Sequence, residues 1–312
     1  MSQEQELAER AEWISERLAE YGEGVHRLGE PALLLDSELP SAVASICREF
    51  NGAELFHEGL ILLSADTIQK QDTFFVVAVA GGDEIMVDTK GMVWRLENDT
   101  EELVPEGTRF DRWLAGAIEA EAVLYDTDGE FRDGVFDEDG ELSNEAEAER
   151  AKRQLKRDPK SIAPRWRLAR ALMGAGRPEK ARDYLEDVVE AKPDFPWAWF
   201  DLSRISEELG QVGPASEEAE QAARAKEGYE HAAFFLAHAA RLAQLAGEDA
   251  RYKSLAAEVL RIHPELPGHH IEAARERLAA KDQTAARELL VLAKVVAPRN
   301  LQVLDLLSQL EN

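Results

Sequence analysis

The residues best equipped for chemistry are the acidic runs Asp126-Thr127-Asp128-Gly129-Glu130-Phe131 and Asp137-Glu138-Asp139-Gly140-Glu141-Leu142. Clustered carboxylates beside a glycine turn offer hard oxygen ligands of the kind calcium takes. A calcium loop of the helix–loop–helix type needs glycine at its sixth position and glutamate at its twelfth. Here glycine directly follows the second Asp, and the twelfth place from Asp126 is Asp137. The spacing therefore predicts tight turns joining short strands at Leu124-Tyr125, Gly134–Phe136 and Leu142, with calcium at 126–141 the lesser alternative. His263, His269 and His270 with Glu265 could suggest a metal site. They surround Pro264 and Pro267 without the i, i+4 histidine spacing of a helical site, so no metal is expected. Cys47, the single cysteine, lies on an apolar stripe and reads as an inert core thiol. There is no phosphate-binding glycine loop, nucleophile elbow or paired acid and base, so neither an enzyme nor a cofactor is expected.

These side chains sit in a chain with a 34-residue period between Ile162 and Asn300. Trp199, Leu202, Ser203, Leu209, Gly210, Ala215, Ala219 and Ala222 mark one unit. Leu168, Ala169, Ala175, Gly176, Ala181, Leu185, Val188 and Pro193 mark the unit before it. After a three-residue insertion come Ala239, Ala240, Gly247, Ala256, Val259 and Pro264. Ala273, Ala274, Ala280, Ala286, Leu290, Ala293 and Pro298 follow in register. Small residues recur where helices approach closely, and each proline falls where a helix must stop. The pattern resembles tetratricopeptide repeats, helix–turn–helix units that bury their apolar faces only against neighbours. Four repeats are expected at 162–195, 196–232, 233–266 and 267–300, closed by a solvating helix at 301–312. Tyr252 in place of Ala, Lys281 in place of the turn Gly, and Glu227 in place of the closing Pro depart from the pattern.

The resemblance implies that the first helix of each repeat lines a groove. Arginine then occupies the ninth position four times, as Arg170, Arg204, Arg241 and Arg275. Trp166, Trp197, Phe200, Phe234 and Ile271 fall at neighbouring inward positions. Guanidinium groups beside aromatic faces suit an extended ligand with carboxylates and apolar anchors. The set is loosely similar to carboxylate-clamping repeats but lacks their lysine and asparagine. The competing reading has the arginines paired with Asp201, Glu207 and Glu272 inside the stack.

Charge is unevenly placed. Residues 1–150 hold 37 acidic and 11 basic side chains, a net of −26, whereas residues 151–312 hold 25 of each. An acidic surface repels nucleic acid and anionic lipid and steers basic proteins toward itself. No apolar run nears 18 residues and no basic, apolar leader opens the chain, so neither a membrane partner nor a nucleic-acid partner is expected, and the expected location is the cytoplasm. The number of copies in the assembly cannot be read from the sequence.

In residues 1–142, Leu7, Ala11, Ile14, Leu18 and Tyr21 give one helical stripe, and Val43, Ile46, Cys47 and Phe50 a second. Leu60–Leu63, Thr73–Ala80, Glu84–Asp88 and Met92–Leu96 read as strands, the last three forming an antiparallel meander. Phe110 to Tyr125 reads as a covering helix with Phe110, Trp113, Leu114, Ala117 and Ile118 inward. The fold class is thus an α+β domain with an antiparallel sheet and covering helices, followed by an all-α repeat superhelix. Leu39-Pro40, Phe50-Asn51-Gly52, Gly81-Gly82-Asp83, Val87-Asp88, Gly91-Met92-Val93 and Phe110-x-x-Trp113-Leu114 resemble the SUKH superfamily of cell-wall-assembly regulators and bacterial immunity proteins. That resemblance implies protein recognition without catalytic residues, often neutralisation of a toxin.

Ser143-Asn144 caps a helix that begins acidic and ends basic, a linker or half-repeat over 143–161. From Lys152 to Arg182 there are 11 basic residues against Asp158 and Glu179, a patch expected to face the acidic front. The leading expectation is a bacterial protein-binding module that captures a protein such as a basic toxin domain, with the repeat groove holding a peptide or a domain. The alternative is a repeat scaffold or regulatory adaptor in a larger assembly.

Overall fold

In the computed structural model, which describes residues 2–97 and 102–310, the chain forms two compact units, Met1–Gly176 and Arg177–Asn312.

The first unit opens with helix α1 (Gln3–Leu18), capped by Ser2, whose hydroxyl accepts from the Gln5 amide. Its stripe Leu7, Ala11, Ile14 and Leu18 is buried as the spacing predicts. Helix α2 (Ser41–Glu49) and helix α3 (Phe110–Leu124) complete one layer against an eight-stranded, wholly antiparallel sheet. The strands are β1 (His26–Leu28), β2 (Ala53–Leu55), β3 (Leu60–Leu62), β4 (Gln69–Gln71), β5 (Phe74–Ala80), β6 (Asp83–Asp88), β7 (Val93–Glu97) and β8 (Glu102–Gly107). Their order is β1-β2-β3-β5-β6-β7-β8, with β4 paired to β5 beside β3.

The expected meander is β5-β6-β7, with a register shift between Val76 and Ala78. Sequence reading missed β1, β2, β4 and β8. The first three have only three residues each, too few to display a period of two. In β8, Pro105 and two glutamates argue against a strand, yet β8 ends the sheet, where a proline is tolerated.

The two acidic runs form the expected turns. Asp126 Oδ1 accepts from the amides of Asp128 and Glu130 at 2.9 and 3.0 Å, and Asp137 Oδ1 does the same for Asp139 and Glu141 at 3.0 Å each. Bridges Tyr125–Phe131 and Phe136–Leu142 stand where short strands were predicted. The leading carboxylate of each run is thus committed to its own turn.

The first unit extends past residue 142 to include α4 (Asn144–Arg157) and α5 (Ala163–Gly174). Ser143 caps α4, as expected, by accepting from the Ala146 amide at 3.3 Å. The arginines of α4 face acids of α3, whereas Lys152 pairs with Glu149 of its own helix and Lys156 is exposed. Arg157 donates to Glu119 at 2.6 Å and stacks 3.7 Å over the Trp13 ring, while Arg150 pairs with Glu121. Asp158, at the α4 C-cap, accepts from the Thr108 amide and hydroxyl at 2.6 and 2.7 Å. From α5, Arg167 reaches Glu106 of β8, at 2.7 and 3.0 Å. Arg95 completes this buried cluster, donating to Glu106 at 3.2 Å and to Asp83 at 3.0 Å.

The second unit holds α6 (Pro178–Ala191), α7 (Pro196–Glu208), α8 (Val212–Arg224), α9 (Ala232–Leu245), α10 (Asp249–Ile262), α11 (Leu266–Ala279), α12 (Gln283–Val296) and α13 (Leu301–Gln309). Antiparallel pairs stack, α6 on α7 and α8 on α9. Their core is rich in alanine, with Ala215, Ala219, Ala222, Ala239 and Ala240 wholly buried, which lets the helices approach closely. The turn residues Gly210 (φ 74°) and Gly247 (φ 77°) take the left-handed conformation. Lys281, at the same place in the last pair, does so with a side chain (φ 64°). At the Glu227 departure the chain forms a loop from Ala225 to His231, pinned by the buried ring of Tyr229.

The last junction differs. Here α12, the second helix of its pair, packs along α9 and α10 through Leu292, Val295 and Val296. Tyr252, the departure from Ala, donates its hydroxyl to the Val295 carbonyl at 2.9 Å. A ring in place of a methyl needs this extra room. The closing α13 packs through Val303, Leu306 and Leu307, yet leaves Leu301 exposed, so it is less polar than a solvating helix should be. Residues 311 and 312 of that expected helix lie outside the described residues.

Candidate functional site

Helices α7 and α9 are the first helices of successive repeats, and ring contacts hold them side by side. On α7, Trp197, Phe200, Arg204 and Glu207 are spaced by three, four and three residues, which places them on one face. On α9, His231 at its N-cap, Phe234, His238 and Arg241 follow the same spacing. Trp197 meets Phe235 edge-on at 5.1 Å, and Phe200 lies 5.3 Å from Phe234 and 5.0 Å from His238. Aromatic groups thus occupy one end of the face and charged groups the other.

At the charged end Arg241 pairs with Glu207, and His238 Nε2 lies 3.7 Å from the same carboxylate. Burial pushes the Glu207 carboxyl up, but the hydrogen bond and charge of Arg241, with His238 and Arg204 adding, hold it below its ordinary value. His238 is only 8% exposed, and its Nε2 has no hydrogen-bond partner. Burial first, then the neighbouring Arg241 charge, lowers its pKa to about 4, so the ring is neutral at pH 7. Arg204 is exposed on the same face. The face therefore presents one outward guanidinium, a second anchored by a carboxylate, and half-buried rings of Trp197 and Phe234. It can grip a carboxylate and pack an apolar side chain at once.

The other expected groove residues are placed differently. In the first unit, Arg170 is exposed on α5, its guanidinium 5.1 Å above the ring of buried Trp166. Ile271 is core, packed with Ala293 and Val303. Arg275 is exposed on α11, and the ring contacts that set α7 beside α9 are not repeated between α9 and α11 among the described residues. The sequence reads Glu207 as an arginine partner inside the stack and His238 as a groove or packing residue. Their place in the same three-four spacing was the signal that joins them to the face.

Among the described residues, no group of three or more His, Cys, Asp or Glu is arranged to hold a metal. His263 and His269 contact each other edge-on, while His270 is buried with its pKa lowered to about 4, chiefly by burial. Cys47 is buried, and burial pushes its thiol up to about 11. No helix among the described residues is long and apolar enough to cross a membrane.

A tetratricopeptide-repeat family model matches residues 144–196 and 172–238. The helical part of the chain carries tetratricopeptide repeats. Several solved repeat proteins are similar to it at low identity. YrrB, described as a TPR protein with an unusual peptide-binding site, is 16% identical, over 52% of this chain and 82% of its own, with a TM-score of 0.36. TTC0263 from Thermus thermophilus is 18% identical, over 54% and 90%, with a TM-score of 0.35. A putative kinesin light chain with TPR-like repeats from Podosopora anserina is 23% identical, over 50% and 86%, with a TM-score of 0.36. None of the curated proteins matches the sequence. In the front unit, the residues that resemble the SUKH pattern have local roles. Asn51 Oδ1 accepts from the Ala65 amide at 2.7 Å, and Gly52, Gly81, Gly82 and Gly91 all take positive φ.

Proposed function

We propose that this chain is a non-catalytic protein-binding module whose repeat face, on α7 and α9, takes an extended peptide bearing a carboxylate and an apolar side chain. The observation that carries this reading is the convergence of Arg204 and Arg241 with Trp197, Phe200 and Phe234 on adjacent helices. A charge-assisted hydrogen bond contributes about 1.5–3 kcal/mol, so losing one guanidinium costs roughly tenfold or more in affinity.

The front unit supplies a second surface, in an immunity-type role: capture of a cationic protein such as a basic toxin domain. Support comes from the −26 net charge of residues 1–150, the SUKH-like motif set, and a pair of leucines. Leu33 and Leu34 are 97% and 91% exposed, on a loop tied back by the Ala32 amide to the Cys47 carbonyl at 2.8 Å and by the packed side chain of Leu35. Glu30, Asp36 and Glu38 flank them. Anchored apolar prongs in an acidic field suit a basic partner with an apolar recess.

Affinity purification from native lysate, at low and high salt, tests both surfaces. Leu33→Asp with Leu34→Asp should release a cationic partner, and Arg204→Ala with Arg241→Ala a peptide-bearing one. Capture indifferent to salt and to both pairs of changes would refute the reading. Co-expression with the captured partner should restore growth in the immunity role and leave growth unchanged for a scaffold.

A further inference from the structure

The displaced last junction of the second unit opens a cavity of about 330 Å³ lined by α9, α10, α12 and Leu307 of α13. Tyr252, Val291, Val295, Pro298 and Leu307 make the apolar part of its walls. Two cations, Arg287 and Lys294, and Gln244 complete the lining. Arg287, Val291, Lys294, Val295 and Pro298 follow one another at spacings of four, three, one and three residues, so α12 and its C-terminal turn present them on one side. The two cations are two helical turns apart, about 10.5 Å along the axis, with Val291 between them. Long side chains from both can converge above it.

Neither cation is taken up by an acid among the described residues of the fold. Arg182, Arg224, Arg241 and Arg251 of the same unit all form ion pairs. Among the described residues, Arg287 and Lys294 form none. One wall of the cavity is a departure from the repeat pattern. Tyr252 stands where the repeats elsewhere have alanine, and its hydroxyl is satisfied by Val295, so the ring forms a fixed wall. A recess of a few hundred Å³ with a few convergent polar groups is the usual form of a small-ligand site.

From this the geometry points to a binding site for a carboxylate that carries an apolar body. The carboxylate lies between Arg287 and Lys294 and accepts from both, with Gln244 able to donate a further hydrogen bond, while the apolar body fills the recess over Val291, Val295 and Leu307. A free aliphatic acid and the C-terminus of a peptide ending in leucine share this chemistry. The site is separate from the α7–α9 face, uses none of its residues, and does not depend on the reading of that face.

Isothermal titration of the full chain tests it with two probes, sodium octanoate and a short peptide ending in leucine. Saturable one-to-one binding of either probe is expected, and the probe that binds identifies the source. Octyltrimethylammonium, with the same tail and the opposite charge, and the amidated peptide should not bind. Arg287→Gln with Lys294→Gln should weaken binding at least tenfold, with the melting temperature unchanged because both side chains are exposed. Should that pair fail to fold, Val291→Glu, which places an acid between the cations, should likewise abolish binding. Absence of saturable binding by both probes overturns the inference. So does binding that survives these substitutions, or that the cationic probe shares.

Discussion

Replacing Arg167 with methionine keeps the aliphatic stem and removes the guanidinium, which tests whether the first helix after the basic linker is bolted to the front sheet. Glu106 is wholly buried and accepts two hydrogen bonds from Arg167 and one, at 3.2 Å, from Arg95. Burial alone would raise its pKa, but Arg167 and then Arg95 outweigh that and hold it at about 2, against an ordinary 4.5. A depression of that size corresponds to about 3 kcal/mol of stability. Breaking a buried pair by removing one partner costs a similar amount, about 3–5 kcal/mol. Because the folded pKa is depressed, the contribution is complete above pH 4.5 and is lost as pH falls toward 2. Urea unfolding of the full chain, followed by tryptophan fluorescence, to which Trp13, Trp94, Trp113 and Trp166 of the first unit contribute, measures this at a series of pH values. Arg167→Met should destabilise the first unit by about 3 kcal/mol at pH 7, and the gap from the unsubstituted chain should shrink below pH 4.5. Glu6 is also held at about 2, by Arg109 and Arg112, but the substitution does not touch it, so subtraction isolates Glu106. A cost under about 1 kcal/mol at pH 7, or a gap that does not change with pH, would refute the reasoning.

Three further outcomes follow from the same geometry. A fragment ending at residue 142 should be unfolded or aggregated, and one ending at residue 176 should unfold cooperatively, because α4 and α5 supply Arg157, Asp158 and Arg167 to the front sheet and its helices; circular dichroism with urea titration checks this. Lys281→Gly should stabilise the second unit by about 0.5–1 kcal/mol, read as a raised melting temperature, since it relieves a left-handed conformation in a residue with a Cβ. His238, held at about 4, stays neutral in the fold while the unfolded chain takes up a proton below about pH 6.5, so stability should be lost as pH falls from 6.5 to 4; His238→Phe should flatten that slope in calorimetry, by about 3 kcal/mol across the window.

The repeats were legible because each depends on local signals: alanines at close approaches, a glycine turn and a terminal proline. The arrangement of the last pair was not, although Tyr252 and Lys281 marked it. A residue out of pattern shows where a rule is broken but not which packing replaces it. In the front unit, the helices α1 and α3 declared themselves by apolar spacing, and β5 to β7 by their length. The three-residue β1, β2 and β4 offered neither a period nor the continuous apolar run that marked β3, and Pro105 disguised β8. The buried charges were hidden for another reason. Glu106 and Arg167 stand 61 residues apart, and Arg109 and Glu6 stand 103 apart, so nothing local announces either pair. Of the candidate site, the ninth-position arginines located α7 and α9, but they could not distinguish Ile271 in the core from Phe234 at the surface.

Leu33 and Leu34 bear on colloidal behaviour. A wetted apolar pair on every molecule would draw copies together if like charge did not keep them apart. With the net −26 of residues 1–150 as that barrier, its range is the Debye length, about 30 Å in dilute buffer and about 3 Å in molar salt. Light scattering should therefore show concentrated salt driving self-association of the intact, folded chain, and Leu33→Asp with Leu34→Asp should abolish it.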